Sequence, residues 1–217
     1  MKRGYLKRIV FCVSALMLYG LGCFLGVKAG VAGTNAWNTL SLGLSEQFGV
    51  SFGTGTFLIS LVIILVDIAG RGKLGIGTIL NVVLIPVFSD LFIAIFQGIP
   101  NASNAVAGAA LTLLGQVVIS FATILYMSPA LGCGPRDTLM IMIGKKIPGV
   151  PIGTVKFCIE MMVLLVGFLL GAPVGVGTIL ALLLQASIFQ FVCRLTHYEP
   201  RSIEHEDVFD TLRKLLS

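Results

Sequence analysis

Charge is what this chain has least of. Lysine, arginine, aspartate and glutamate make up 12% of its 217 residues, roughly half of what a water-soluble domain uses to cover its surface. Histidine is nearly missing as well: His197 and His205 are the only two, both near the C-terminus. The five cysteines, Cys12, Cys23, Cys133, Cys158 and Cys193, are scattered and form no CxxC pair. This argues against a zinc or haem site, so neither a metal nor a cofactor is expected, and the cysteines read as free apolar thiols. The apolar segments hold no histidine, no paired catalytic carboxylates and no nucleophile–base motif, so an enzyme is not expected.

Apolar sequence fills the space that charge vacates. Hydrophobic residues reach 56%, and the mean hydropathy is +0.99. Six apolar runs, each of about 18 to 23 residues, are long enough to cross a hydrocarbon layer. They are Ile9–Val27, Phe52–Ala69, Leu74–Phe96, Ala105–Met127, Ile152–Leu170 and Val174–Val192. The expected solvent is therefore the lipid bilayer, and residues 1–193 form one membrane domain. The first 33 residues have a basic start, an apolar stretch and small residues at "GVAG", as a signal peptide would. Their internal counterpart, described next, argues for a retained helix.

"LGIGTIL" at 74–80 returns as "VGVGTIL" at 174–180. "GVSFGTGTF" at Gly49–Phe57 lies over "GVPIGTVKF" at Gly149–Phe157, and "NTL" at Asn38–Leu40 over "DTL" at Asp137–Leu139. Each half reads as long helix, short segment, long helix, long helix, with repeat one at about 5–97 and repeat two at about 105–193. Three crossings per half place the second copy upside down relative to the first. The positive-inside rule tests this independently. With the N-terminus in the cytoplasm, Lys28 alone falls outside and Lys156 lies within a span. The other thirteen of the 15 lysines and arginines face the cytoplasm. The expected fold is thus an all-α membrane protein of six transmembrane helices, arranged as two inverted three-helix repeats. Both termini are cytoplasmic and the protein is multi-pass.

Between the first two spans of each half lie "AWNTLSLGLSEQF" (36–48) and "PRDTLMIMIGKKI" (135–147). Each predicts a short helix, with Asn38 or Thr39, and Asp137 or Thr138, as N-terminal acceptors and Pro135 in the first turn. At about 1.5 Å rise per residue neither can cross, so each is re-entrant or interfacial. Gly53-Thr54 and Gly153-Thr154 open the second span of each half; Gly75-Ile76-Gly77-Thr78 and Gly175-Val176-Gly177-Thr178 open the third. Such starts serve close packing, or present free N–H groups and a hydroxyl to a ligand.

Ionisable groups inside spans cost about 2.5–3.5 kcal/mol each on insertion scales, so each needs a reason. Asp67 has Arg71 four residues on, the spacing of an interfacial ion pair. Lys156 and Glu160 share one face of the fifth span and can neutralise each other. Asp90 lies well inside the third span, with Asn81 two to three turns earlier. Glu160, Lys156, Asp90 and Asn81 align with Ser60, Thr56, Gln190 and Ala181, so the scaffold does not demand them. Arg136-Asp137 aligns with Trp37-Asn38. The candidate solute-binding residues are therefore Trp37, Asn38, Thr54, Thr78, Asn81, Asp90, Arg136, Asp137, Thr154, Glu160 and Thr178. The tail, 194–217, reads as a cytoplasmic amphipathic helix with Val208, Phe209, Leu212, Leu215 and Leu216 on one face. Its four basic and five acidic residues do not make a nucleic-acid-binding arm.

"AWNTLSLGLSEQFG" with "GTILN", and "GCGPRDTLM" with "GVGTIL", resemble the YczE-like bacterial membrane proteins, grouped with YyaS and YitT, over roughly residues 5–195. Ala36 and Asn38 stand where that family usually carries proline and aspartate around the tryptophan. The resemblance implies a multispanning protein of the bacterial plasma membrane and says little about substrate. The functional expectation is a small secondary-transporter-like protein for an unidentified small solute, and the small size of a six-span bundle makes a homodimer plausible. The alternative is an accessory or regulatory membrane protein acting through its cytoplasmic loops and tail.

Overall fold

The computed structural model describes residues 2–72, 74–198 and 206. Of the predicted tail, 194–217, residues 194–198 and 206 are described, and Arg194 and Leu195 continue the last membrane-length helix; the rest of the tail lies outside the described residues. Among them the chain is helical throughout: α1 (Lys2–Val27), a 3₁₀ turn (Gly30–Ala32), α2 (Ala36–Phe48), α3 (Phe52–Ala69), α4 (Ile76–Ile95), α5 (Ala105–Met127), α6 (Pro135–Lys146), α7 (Ile152–Leu169) and α8 (Val176–Leu195). Five helices, α1, α3, α4, α5 and α8, are long and apolar enough to cross a membrane by length and composition. The fifth run of the sequence forms α7, as long as α3 but bearing Lys156 and Glu160. Large apolar side chains stay exposed on the outward faces, including Val62, Leu65, Leu183 and Phe191, each at least 58% exposed, as a lipid-facing surface requires.

Local chemistry sets the helix starts. Asn35 caps α2 by accepting from the Asn38 N–H at 3.0 Å. Ser51 caps α3 and Asn104 caps α5 in the same way. Pro135 opens α6, where its missing N–H costs nothing, and Gly134 precedes it without a side-chain cap. The α2 acceptor is therefore Asn35 rather than Asn38 or Thr39, because the helix begins earlier. Thr39 and Thr138 instead donate back to the carbonyls of Asn35 and Gly134 at 3.0 and 3.2 Å.

α1 and α5 cross at the centre of the bundle. A Cβ on Gly22 would meet the Gly115 carbonyl at 2.9 Å, and one on Gly115 would meet the Gly22 carbonyl at 2.7 Å, so backbone packs on backbone there. α4 packs along α1 and α8 along α5; α2 packs on α7 and α6 on α3. Around this core, then, each helix of one half finds a neighbour that the corresponding helix of the other half also finds. One departure stands out: α3 packs along α4, whereas α7 and α8 make no comparable contact.

The two glycine–threonine echoes dock on opposite halves. At the start of α4 the Gly77 N–H donates to the Leu131 carbonyl at 2.7 Å, and the Thr78 hydroxyl to the Cys133 carbonyl at 2.6 Å. At the start of α8 the backbone of Val174 bridges to Gly33, whose carbonyl also accepts from the Thr112 hydroxyl at 2.7 Å. Gly33 has φ +72° and abuts the Thr178 hydroxyl, so no side chain fits there. Thr78 and Thr178 also accept from the N–H of Gly75 and Gly175, closing each helix start on itself.

The contacts of the short helices are unequal. A Cβ on Gly43 of α2 would meet the Gly167 carbonyl of α7 at 2.7 Å, and one on Gly167 would meet the Leu40 nitrogen at 2.7 Å. The position aligned with Gly167 is Asp67, on α3 beside the first turn of α6. Asp67 is 0% exposed, and neither carboxylate oxygen has a hydrogen-bond partner. The expected ion pair with Arg71 does not form: the helix ends at Ala69 and Arg71 turns away at φ +59°, which breaks the four-residue register.

Gly167→Ala is therefore expected to force α2 and α7 apart and cost about 1–3 kcal/mol. Gly153→Ala, where nothing lies within 4 Å, should change stability by less than about 0.5 kcal/mol. Thermal unfolding in detergent, followed by the fluorescence of Trp37, checks both.

Candidate functional site

The first turns of α2 and α6 come together inside the bundle. The Arg136 guanidinium lies over the Trp37 ring, 4.6 Å from its centroid, so the two aligned positions of the repeat meet face to face. Both short helices therefore start against each other in the interior of the bundle rather than on its surface.

A cavity of about 500 Å³ adjoins this junction. Its walls come from α5, α6, α7 and α8, with Tyr19 of α1 and Trp37 of α2 closing it. Gln116, Glu160 and Gln185 stand about halfway along α5, α7 and α8, so the cavity reaches the middle of the bundle. The Tyr126 hydroxyl holds the α6 start in place: it accepts from the Gly134 N–H at 3.1 Å and donates to Asp137 at 3.3 Å. Lys156 Nζ is 3.9 Å from Glu160 Oε1, the ion pair that their spacing predicts. Glu160 Oε1 and Gln116 Oε1 are both buried and accept no hydrogen bond. Outside the spans, burial pushes the Cys133 thiol above its usual range, with a hydrogen bond to Thr138 opposing, so it is a poor nucleophile. Among the described residues no three His, Cys, Asp or Glu side chains gather as a metal site requires.

A second, much smaller void of about 20 Å³ lies on the other side of Arg136 and Asp137. Thr56, Ser60, Asn81 and Ile85 line it, together with Tyr19 and Tyr126. Three of these align with lining residues of the large cavity: Thr56 with Lys156, Ser60 with Glu160, and Ile85 with Gln185.

The structure thus gathers Trp37, Arg136, Asp137 and Glu160 at one cavity and puts Asn81 at the small void. Asn38 is buried beside Thr34, and Thr78 and Thr178 serve the interlocked loops. Thr54 and Thr154 are exposed. Asp90 sits at the start of α3, accepting from the Gly53 N–H at 2.7 Å and from the Ser51 hydroxyl. Gln116, Gln185, Tyr19 and Tyr126 line the cavity without having been candidates. Their one signal in the sequence is an amide or a phenol inside an otherwise apolar run.

A bundle of long apolar helices with polar groups turned inward defines a multispan membrane protein. Residues 6–194 match the model of a family described as "Family of unknown function (DUF6198)", and the chain belongs to it. An "Uncharacterized protein" of Haemophilus influenzae is 36% identical over 195 residues, covering 88% of this chain and 87% of that one. The "Uncharacterized membrane protein YczE" of Bacillus subtilis is 31% identical over 192 residues, with the same coverage. "Uncharacterized protein YyaS" of the same organism is 22% identical over 170 residues, covering 78% of this chain and 84% of that one. No solved structure matches the chain.

Because Asp90 holds the α3 start with charge-assisted hydrogen bonds, Asp90→Asn is expected to cost about 1–2 kcal/mol of stability. Thermal unfolding of the detergent-solubilised variant measures it; an unchanged melting temperature would remove Asp90 from this capping role.

Proposed function

We propose that the protein is a small secondary carrier built from two inverted three-helix halves, with its solute site at the junction of α2 and α6. The observation that carries this reading is the pair of voids on either side of Arg136 and Asp137. Three aligned pairs of residues contribute to their walls, yet one is about 500 Å³ and the other about 20 Å³. A carrier that works by alternating access has such a pair, one open and one collapsed, and exchanges them by rocking one half against the other. The parted α7 and α8 beside the closed α3 and α4 support the same reading. In this reading α7 completes a sixth span and both termini lie in the cytoplasm of a bacterial cell.

The orientation is checked by thiol labelling in cells of single cysteines placed at Gly72 and Gly98 in a cysteine-free background. Gly72 should react only from the cytoplasm and Gly98 only from outside; labelling on a common face would overturn the inverted arrangement.

Uptake into proteoliposomes tests the activity. Arg136→Ala is expected to lower it at least tenfold at an unchanged melting temperature, with the exposed Arg71→Ala as control. Absence of flux for every solute tried counts against a carrier. One observation favours the accessory reading: Glu206 reaches back to Arg8 at 3.1 Å and donates its N–H to the Ala130 carbonyl at 2.9 Å, tying tail to loop. Deleting residues 200–217 separates the two, since a carrier keeps most of its flux and an accessory protein loses its effect.

A further inference from the structure

We propose that the large cavity recognises a small zwitterion: a molecule of amino-acid size with one carboxylate, one ammonium group and a partly apolar body. That such a molecule is carried across the membrane rests on the reading above; that it binds does not.

The argument is one of matching. Four charged side chains line the cavity, Arg136 and Lys156 against Asp137 and Glu160, so their formal charges cancel. A ligand of one sign would add uncompensated charge to a largely apolar space, which is expensive. An apolar ligand without charge would leave the existing polar groups no better paired than before, and a neutral polar one would forgo the stronger charge-assisted hydrogen bonds. The groups are also unequally engaged. Among the described residues no hydrogen bond or ion pair occupies the Arg136 guanidinium, which lies over the Trp37 face. It therefore offers its forked N–H donors to an acceptor of carboxylate shape. Across the cavity the need is reversed. Glu160 and Gln116 are 5% and 4% exposed, and an oxygen of each accepts no hydrogen bond. Lys156 stands 3.9 Å from Glu160, beyond hydrogen-bond distance.

One end of the cavity thus has a forked donor without an acceptor, and the other has two buried oxygens, Glu160 Oε1 and Gln116 Oε1, without a hydrogen-bond donor. A carboxylate on Arg136 and an ammonium on Glu160 and Gln116 satisfy both at once. Trp37, Met140, Ile159 and Phe189 supply the apolar wall for the rest of the molecule. The volume, about 500 Å³, falls in the range of about 300–1,000 Å³ usual for small-molecule sites.

The test uses the full-length protein in detergent, titrated with L-leucine, L-methionine and L-phenylalanine, each with its N-acetyl and its amide derivative, and followed by thermal shift and calorimetry. At least one parent amino acid should bind, with both of its blocked derivatives at least tenfold weaker. Arg136→Lys keeps the charge but loses the fork, and should narrow the gap between parent and amide. Glu160→Gln keeps the shape, and should narrow the gap between parent and N-acetyl derivative. Melting temperatures without ligand confirm that both variants fold. A derivative that binds as tightly as its parent, or no binding by any of the nine compounds, overturns the inference. Failure here together with proteoliposome flux of some other solute would leave the carrier standing without this substrate class. Binding as expected without flux would keep the site and remove the carrier.

Discussion

Backbone that is not helical can survive among apolar helices only if its N–H and C=O groups are satisfied by the protein itself. Two segments here depend on that condition, the stretch between α1 and α2 and the stretch between α5 and α6. Each is held by the opposite half. The Gly77 N–H and the Thr78 hydroxyl bind the carbonyls of Leu131 and Cys133, while Val174 and Thr112 bind the backbone of Gly33. The duplicated glycine–threonine motif is thus the interlock between the halves, and α2 and α6 can begin at the centre of the bundle because of it. Everything at the cavity follows from where those two helices start.

The interlock occurs at aligned places in the two halves, through different bonds; what it supports differs more. Gly167 lets α2 and α7 touch backbone to backbone, while its aligned partner Asp67 puts a carboxylate beside the start of α6. Trp37 and Arg136 meet as a ring and a cation rather than as two of a kind. The second half keeps Lys156, Glu160 and Gln185 where the first has Thr56, Ser60 and Ile85, and the polar set accompanies the larger void. Three of the aligned differences between the halves therefore fall on the walls of the two voids.

Much of this was legible in residues 74–80 and 174–180, because a helix start needs small residues and a hydroxyl, and those are local requirements. The partners were not legible. Thr78 bonds a carbonyl 55 residues away, and no local pattern names it. Asp90 reads as a costly charge inside a span until its partner, the Gly53 N–H, is seen across two elements. Asp67 and Arg71 have the spacing of a pair, and only the way α3 ends undoes it. Gln116 and Gln185 are single amides in apolar helices. Spacing cannot show that α5 and α8 turn them into the same space, since convergence is a property of packing. The Lys156–Glu160 pair was readable because both charges lie on one helix.

The clasp at the far end of the molecule obeys different physics from the bundle it closes. Arg8 grips Glu206 and the Pro129 carbonyl, joining the first helix, a mid-chain loop and the tail at a partly exposed point. Contacts among apolar helices are indifferent to dissolved ions, but an exposed pair of opposite charges weakens as ionic strength rises, with a screening length of about 8 Å near physiological salt. The ionic part of this clasp is accordingly a contact that a change of electrolyte alone can loosen, while the backbone hydrogen bond from Glu206 to the Ala130 carbonyl persists.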